Sequence, residues 1–235
     1  MKNRIVTSIP SVLTLGNLSL GFAAMLMNNP LLSFWMILAG AVLDTFDGMV
    51  ARSLNAMSEF GKQVDSLADL VTFGIAPAYL YYQYMLSHDI MSMIIIISLP
   101  VASALRLAIF NLSTNQTVSF KGLPTPACGI FFSSIPVVLE KNIIPFDHTF
   151  YFDIVMYALP LLFSFLMLSR IRLFSVKAVK NGWKQNQPLL IFMGVIIILL
   201  IIIKWLAIPI SILLYVIFSL LNKKQLEESE KSKAS

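Results

Sequence analysis

Long apolar runs separated by short polar breaks fill almost the whole chain. The runs predict helices over residues 11–28, 31–53, 65–86, 90–112, 124–140, 150–170, 187–203 and 205–222. Most approach the length of about 20 residues at which a helix crosses a bilayer. The breaks carry residues that stop or turn a helix: Asn28-Asn29-Pro30, Ser87-His88-Asp89 and Gly122-Leu123-Pro124-Thr125-Pro126. The last two runs would otherwise make about 50 Å of helix at 1.5 Å per residue. That is too long for one crossing of a core about 30 Å thick, and Lys204 and Pro209 interrupt it, so the pattern predicts a tight hairpin. The expected fold is an all-α polytopic transmembrane bundle.

Composition sharpens this picture. Of 235 residues, 57% are hydrophobic and 12% charged, about half the charge of an ordinary soluble domain. Too little charge remains to coat a water-facing surface, which excludes a soluble enzyme, a disordered chain and a nucleic-acid-binding domain, despite the net charge of +5. The apolar run after Met1-Lys2-Asn3-Arg4 resembles a signal peptide. No small-residue cleavage site precedes a soluble domain, however, and further spans follow, so it reads as a retained first span. With the N-terminus inside, only Lys141 and Lys204 fall on the far side, and the other 15 of 17 basic residues share the near side. The positive-inside rule then puts both termini in the cytoplasm. The single cysteine, Cys128, has no partner for an internal disulfide and carries no information on redox compartment.

The acidic residues are distributed very differently. Four of the twelve, Asp44, Asp47, Asp65 and Asp69, fall within 26 residues. Asp44 and Asp47 are three apart, and Asp65 and Asp69 are four apart, so each pair shares a helix face. A short loop joins the two helices, and both pairs can converge at the cytoplasmic mouth of the bundle. A carboxylate at membrane depth costs about 2.5–3.5 kcal/mol on insertion scales and marks a functional site by default. Four together repel unless cations neutralise them. Oxygen ligands without His or Cys nearby suit hard ions, Mg²⁺ or Mn²⁺, and two such ions form the usual clamp for displacement at phosphorus. Gly48 and Gly61 beside these carboxylates allow close approach of a helix or ligand. A cation transporter would instead place its carboxylates near the bilayer midplane on broken helices.

The window Asp44-Thr-Phe-Asp47-Gly48-Met-Val-Ala51-Arg52, eight residues, then Gly61-Lys-Gln-Val-Asp65-Ser-Leu-Ala-Asp69 fills every fixed position of a known signature. It resembles the CDP-alcohol phosphotransferase family, D-x2-D-G-x2-A-R-x8-G-x3-D-x3-D. Ala104-Leu-Arg106-Leu-Ala-Ile-Phe-Asn111 and Phe120-Lys121-Gly122-Leu-Pro-Thr-Pro-Ala127 are similar to segments of its phosphatidylserine synthase branch. The resemblance implies a six-helix catalytic core over residues 1–170. A basic loop and two further spans follow at 171–222, then a polar cytoplasmic tail at 223–235.

It also implies displacement of CMP from CDP-diacylglycerol by an alcohol, L-serine in this branch. Two divalent cations would be held by Asp44, Asp47, Asp65 and Asp69, with Asp69 also the general base. Gly48, Arg52 and Gly61 match the signature beside the CDP group, and Ser58 falls where relatives carry a hydroxyl near the nucleotide. In the first helix Thr14 matches a nucleotide-side position, and Asn17 on the same face adds a polar contact. This chain has Ser11 where many relatives have Asn after the proline, and Ile109 where relatives often have a second basic residue. The resemblance also implies a homodimer, and the expected location is the cell (inner) membrane with the active site on the cytoplasmic face.

The carboxylate of serine needs a cation, and Arg106 and Lys121 lie at the cytoplasmic ends of their helices beside the expected site. Arg106 is the better placed, within an apolar helix. Glycerol 3-phosphate, the alternative acceptor, would call for a cluster of cations around its phosphate.

Overall fold

Capping residues set the helix boundaries in the computed structural model of the chain, which describes residues 4–85, 88–112, 122–143, 150–169, 171 and 183–221. Helix α1 spans Arg4–Leu26 and α2 spans Pro30–Ser53. Asn29 caps α2, its side-chain oxygen accepting from the Leu32 N–H at 3.0 Å, and Pro30 takes the first turn, where its missing N–H costs nothing. Ser58 caps α3, Glu59–Asp69, by accepting from the Gly61 N–H at 3.0 Å. The third rod therefore begins six residues before the expected position 65, because its first turns are polar and invisible to a search for apolar runs.

That rod continues through a π-helical segment, Leu70–Ile75, into α4, Ala76–Tyr82. Helices α5 (Ile90–Leu112), α6 (Thr125–Glu140) and α7 (Phe150–Leu168) follow. Asp89 caps α5 through the Ser92 N–H at 2.8 Å. Helices α8 (Trp183–Ile203) and α9 (Ala207–Leu221) are separated at Lys204, whose backbone is left-handed with φ +48°. The rings of Phe192 and Phe218 stack at 5.3 Å, so the chain folds back as the expected hairpin. Among the described residues there is no strand, and apolar stretches long enough to cross a membrane occur at Ile9–Leu26, Pro30–Ser53, Ile90–Leu112, Tyr151–Leu168 and Phe192–Leu220.

The short α6 lies at the centre and is buried along most of its length. Phe131 and Phe132 on it meet Phe163 of α7 at 4.2 and 5.2 Å, and Phe132 meets Tyr81 of α4 at 4.9 Å. The Tyr81 hydroxyl donates to the Met156 carbonyl at 3.0 Å, so a polar group among these rings is satisfied. Elsewhere serines tie helices together, Ser164 donating to Ser98 at 3.0 Å and Ser33 to the Ala24 carbonyl at 2.8 Å. At the end of α6 distal to Thr125, Trp205 packs against Phe34 and Trp35, and the Lys141 ammonium lies 5.8 Å from the Trp205 ring centre. The two basic residues that stood apart in the sequence thus sit at one end of the bundle.

Close backbone approach holds the π-helical segment in place. A Cβ on Gly129 of α6 would lie 2.8 Å from the Phe73 Cα, and one on Gly40 of α2 would lie 2.8 Å from the Thr72 methyl. The start of α6 is fixed just as tightly: Gly122 adopts φ +78° and its N–H donates to the Ile171 carbonyl at 2.8 Å, while the Leu123 N–H reaches the Leu166 carbonyl at 3.1 Å. Gly129→Ala should lower the thermal midpoint of the detergent-solubilised protein through a loss of about 1–3 kcal/mol from overpacking. Gly194→Ala, whose Cβ would meet nothing within 4 Å, should leave it unchanged or raised.

Candidate active site

Two helices supply four carboxylates to one site. One oxygen from each of Asp44, Asp47 and Asp65 lies within 4.8 Å of the others. Asp69 adjoins this triad, and the Asp44 carboxyl lies in hydrogen-bond contact with both Asp65 and Asp69. The 3- and 4-residue spacings predicted that each pair would share a face, and the antiparallel return of the chain through 54–58 brings the pairs together. Carboxylates this close need a cation or a proton among them. Asp47 is only 5% exposed, and Oδ1 of Asp65 is buried with no protein partner. An all-oxygen, part-buried and partly unpaired donor set of this kind fits a hard divalent cation.

The first helix backs this cluster. Thr14, buried on α1, donates to Asp47 Oδ2 at 2.6 Å, with the Pro10 carbonyl 3.0 Å from the same hydroxyl. Asn17, one turn further on and fully buried, donates through Nδ2 to Asp69 Oδ1 at 3.5 Å. The Asn17 backbone carbonyl accepts from the Thr72 hydroxyl at 2.9 Å, which ties α1 to the π-helical segment immediately after Asp69. Both α1 residues therefore stand against the carboxylates themselves, holding two of them in fixed orientations.

The remaining positions of the signature spread around the mouth of the site. Ser58 is exposed and engaged in capping α3, and Gly61 leaves room for that cap, since a Cβ there would lie 3.1 Å from Ser58 Oγ. Gly48 faces open space, its nearest neighbour being Arg52 Nη1 at 4.0 Å from an added Cβ, and Arg52 is exposed. This leaves an unobstructed strip of α2 beside Asp47, with a guanidinium one turn away.

Arg106 enters from α5. Its Nη1 donates to the buried Thr125 hydroxyl at 2.7 Å at the start of α6, while its Nε is buried and has no protein partner. The guanidinium lies within electrostatic reach of Asp69. Lys121 lies outside the described residues, as does His148, and the His88 ring packs edge-on against Tyr82 at 4.8 Å. A further network joins α5 to α3: Lys62 Nζ donates to the Asn111 carbonyl at 2.9 Å, and Asn111 Nδ2 to Ser66 Oγ at 2.8 Å. Lys62 thereby caps the end of α5.

Reading the sequence alone does not single out Thr72, Thr125, Ser66 or Asn111 as members of this framework. Thr72 carried a usable signal, a polar residue three positions beyond Asp69 in an apolar run. Thr125 carried a weaker one, inside a proline-rich turn.

Comparison with known proteins agrees with this geometry. Residues 7–166 match the CDP-alcohol phosphatidyltransferase family. The chain is similar to the CDP-diacylglycerol–serine O-phosphatidyltransferase of Helicobacter pylori, 31% identical over 200 residues that cover 80% of this chain and 81% of the relative. It is likewise similar to the enzyme of that name from Bacillus subtilis, 38% identical over 126 residues, 52% of this chain and 71% of the relative. A third, from Methanocaldococcus jannaschii, is 38% identical over 124 residues, 53% of this chain and 58% of the relative. With the match spanning α1 to α7 and taking in all four clustered aspartates, the chain belongs to the CDP-alcohol phosphatidyltransferase family.

Proposed function

We propose that this protein transfers the phosphatidyl group of CDP-diacylglycerol to L-serine, releasing CMP and forming phosphatidylserine. The observation that carries the reading is similarity to relatives named CDP-diacylglycerol–serine O-phosphatidyltransferase along four-fifths of the chain, joined to the cluster of Asp44, Asp47 and Asp65 with Asp69 adjoining it. In the reaction the serine hydroxyl oxygen forms a bond to the phosphorus that bears diacylglycerol. The bond from that phosphorus to the CMP phosphate oxygen breaks, and CMP leaves with that oxygen.

Asp69 takes the hydroxyl proton as general base, a role that needs contact at about 2.6–3.2 Å, and Asn17 fixes its carboxylate. Arg106 holds the serine carboxylate with its free Nε and remaining N–H groups, close to Asp69. Lys121 is a second cation for the same carboxylate. Gly48 and Gly61 give the diphosphate access, Arg52 grips its oxygens, and Ser58 lies at the nucleotide end. Thr14 keeps Asp47 in orientation. Asp44, Asp47, Asp65 and Asp69 would hold divalent cations, two Mg²⁺ or Mn²⁺ ions in this reading, which supply neutralising charge to the diphosphate and the departing CMP. The site opens to the cytoplasm in a homodimeric protein of the cell membrane, CDP-diacylglycerol entering from the bilayer and serine from water.

Purified protein given CDP-diacylglycerol, Mn²⁺ or Mg²⁺ and serine should release CMP and form phosphatidylserine, and chelation should stop both. CMP release with glycerol 3-phosphate but not with serine would overturn the acceptor, and no release with any alcohol would overturn the reaction. Asp69→Asn should cut turnover by about 10²–10⁴-fold, the usual worth of a general base, while CDP-diacylglycerol still binds in the presence of metal. Asp44→Asn should weaken that binding as well, and equal losses of binding in the two variants would refute the division of roles.

A further inference from the structure

A hydroxyl in an apolar helix readily turns back on its own backbone. Ser19, Thr45 and Ser66 do so, each donating to the carbonyl four residues earlier, at 2.8, 2.9 and 3.2 Å. Thr72 departs from that pattern. It is fully buried, and its hydroxyl leaves its own helix to donate to the Asn17 carbonyl of α1 at 2.9 Å. A threonine hydroxyl has one hydrogen to give, so the bond between helices replaces the local one. Thr72 stands three residues beyond Asp69, inside the π-helical segment, and such segments recur at functional sites.

The surroundings fix that contact. Gly21 of α1 lies so close that a Cβ there would stand 2.6 Å from the Thr72 Cα. A Cβ on Gly40 of α2 would lie 2.8 Å from the Thr72 methyl and 2.7 Å from Asn17 Oδ1. Two helices therefore close on this one threonine, and the same asparagine makes the next link, its Nδ2 donating to Asp69 Oδ1. At 3.5 Å that bond is at the long limit of hydrogen bonding, where a small slide or rotation of α1 breaks it. Asn17 Oδ1 is buried without a partner, so no second hydrogen bond steadies the amide. Its place depends on the α1 backbone, which Thr72 holds, and on the wall at Gly40.

We propose that Thr72 is a positioning residue for Asp69: its hydroxyl, bound to the Asn17 carbonyl, sets α1 against the π-helical turn and so keeps the Asn17 amide on the carboxylate. This rests on the reading of Asp69 as the general base given above. The path leaves the rod just after Asp69, crosses to α1 through Thr72 and returns through Asn17, a closed loop of two hydrogen bonds. Asp44, Asp47 and Asp65 lie outside that loop, so the proposal assigns Thr72 to the orientation of the base and leaves the hold on CDP-diacylglycerol to the other carboxylates.

Two substitutions separate the hydroxyl from the methyl. Thr72→Val keeps the shape against Gly40 and removes the donor. It should lower kcat for CMP release about three- to tenfold, the scale of one net hydrogen bond, with the KM values for serine and CDP-diacylglycerol within about twofold of wild type. Thr72→Ser loses the methyl, keeps the donor and should hold kcat within about twofold. In an Asn17→Ala background Thr72→Val should add little further loss, because it acts through that side chain. Phe163→Leu, in the aromatic core, should lower the thermal midpoint and leave kcat unchanged well below that temperature, which separates a loosened fold from a lost bond. An unmoved kcat in Thr72→Val, an equal fall in Thr72→Ser or Phe163→Leu, a loss expressed in KM, or full additivity with Asn17→Ala would overturn the positioning role. Wild-type protein that releases no CMP with any alcohol would instead overturn the reaction, and full turnover in Asp69→Asn would overturn the base, so those failures are told apart by their own controls.

Discussion

Negative charge concentrated at one place in an apolar bundle is the constraint that organises this protein. Asp44, Asp47, Asp65 and Asp69 meet half-buried among the helices, with Asp47 almost wholly enclosed, and their mutual repulsion opposes the arrangement. They persist in one arrangement because surrounding groups hold them, Thr14 against Asp47 and Asn17 against Asp69. Gathering carboxylates in an apolar bundle is costly, and a cluster of this kind marks a functional site rather than a contribution to folding.

The helix packing follows from the need to keep those groups from drifting. The rod that carries Asp65 and Asp69 passes into a π-helical segment directly after Asp69, and that segment is lodged among Gly40 of α2, Gly129 of α6 and the Asn17 carbonyl of α1. A π turn adds a residue within the helix and shifts the faces that follow it. The carboxylate turns can thus face the site while α4 presents Tyr81 to the aromatic core. Lys62, Ser66 and Asn111 fasten the same rod to α5, the helix of Arg106, so the distance between Asp69 and the guanidinium depends on a hydrogen-bonded joint at their shared end.

Much of this was legible in the order of residues. Apolar runs located the helices because a membrane helix must be apolar over most of its length, and the break at Lys204 appeared as the predicted hairpin. Boundaries were less legible where polar turns extend a helix, as at Glu59, because the length of an apolar run does not report a cap such as Ser58. The aspartates stood out because charge is rare in such a chain, and rare groups at helical spacing are conspicuous. Thr72, Thr125 and Asn111 did not stand out, since a lone hydroxyl or amide in an apolar helix is as compatible with a satisfied backbone bond as with a role in the site.

Sequence by itself determined the all-helical membrane architecture, the clustering of carboxylates and the family to which the chain belongs. Those depend on local quantities: run length, spacing along one helix, and the fit of a fixed pattern across two adjacent helices. Only the tertiary structure decided that Thr14 and Asn17 brace two of the aspartates, and that Arg106 is held by Thr125. Such meetings depend on the rotation and depth of each helix against its neighbours. Close packing at Gly40, Gly129 and Gly122 sets these, and no periodicity within a single helix records them.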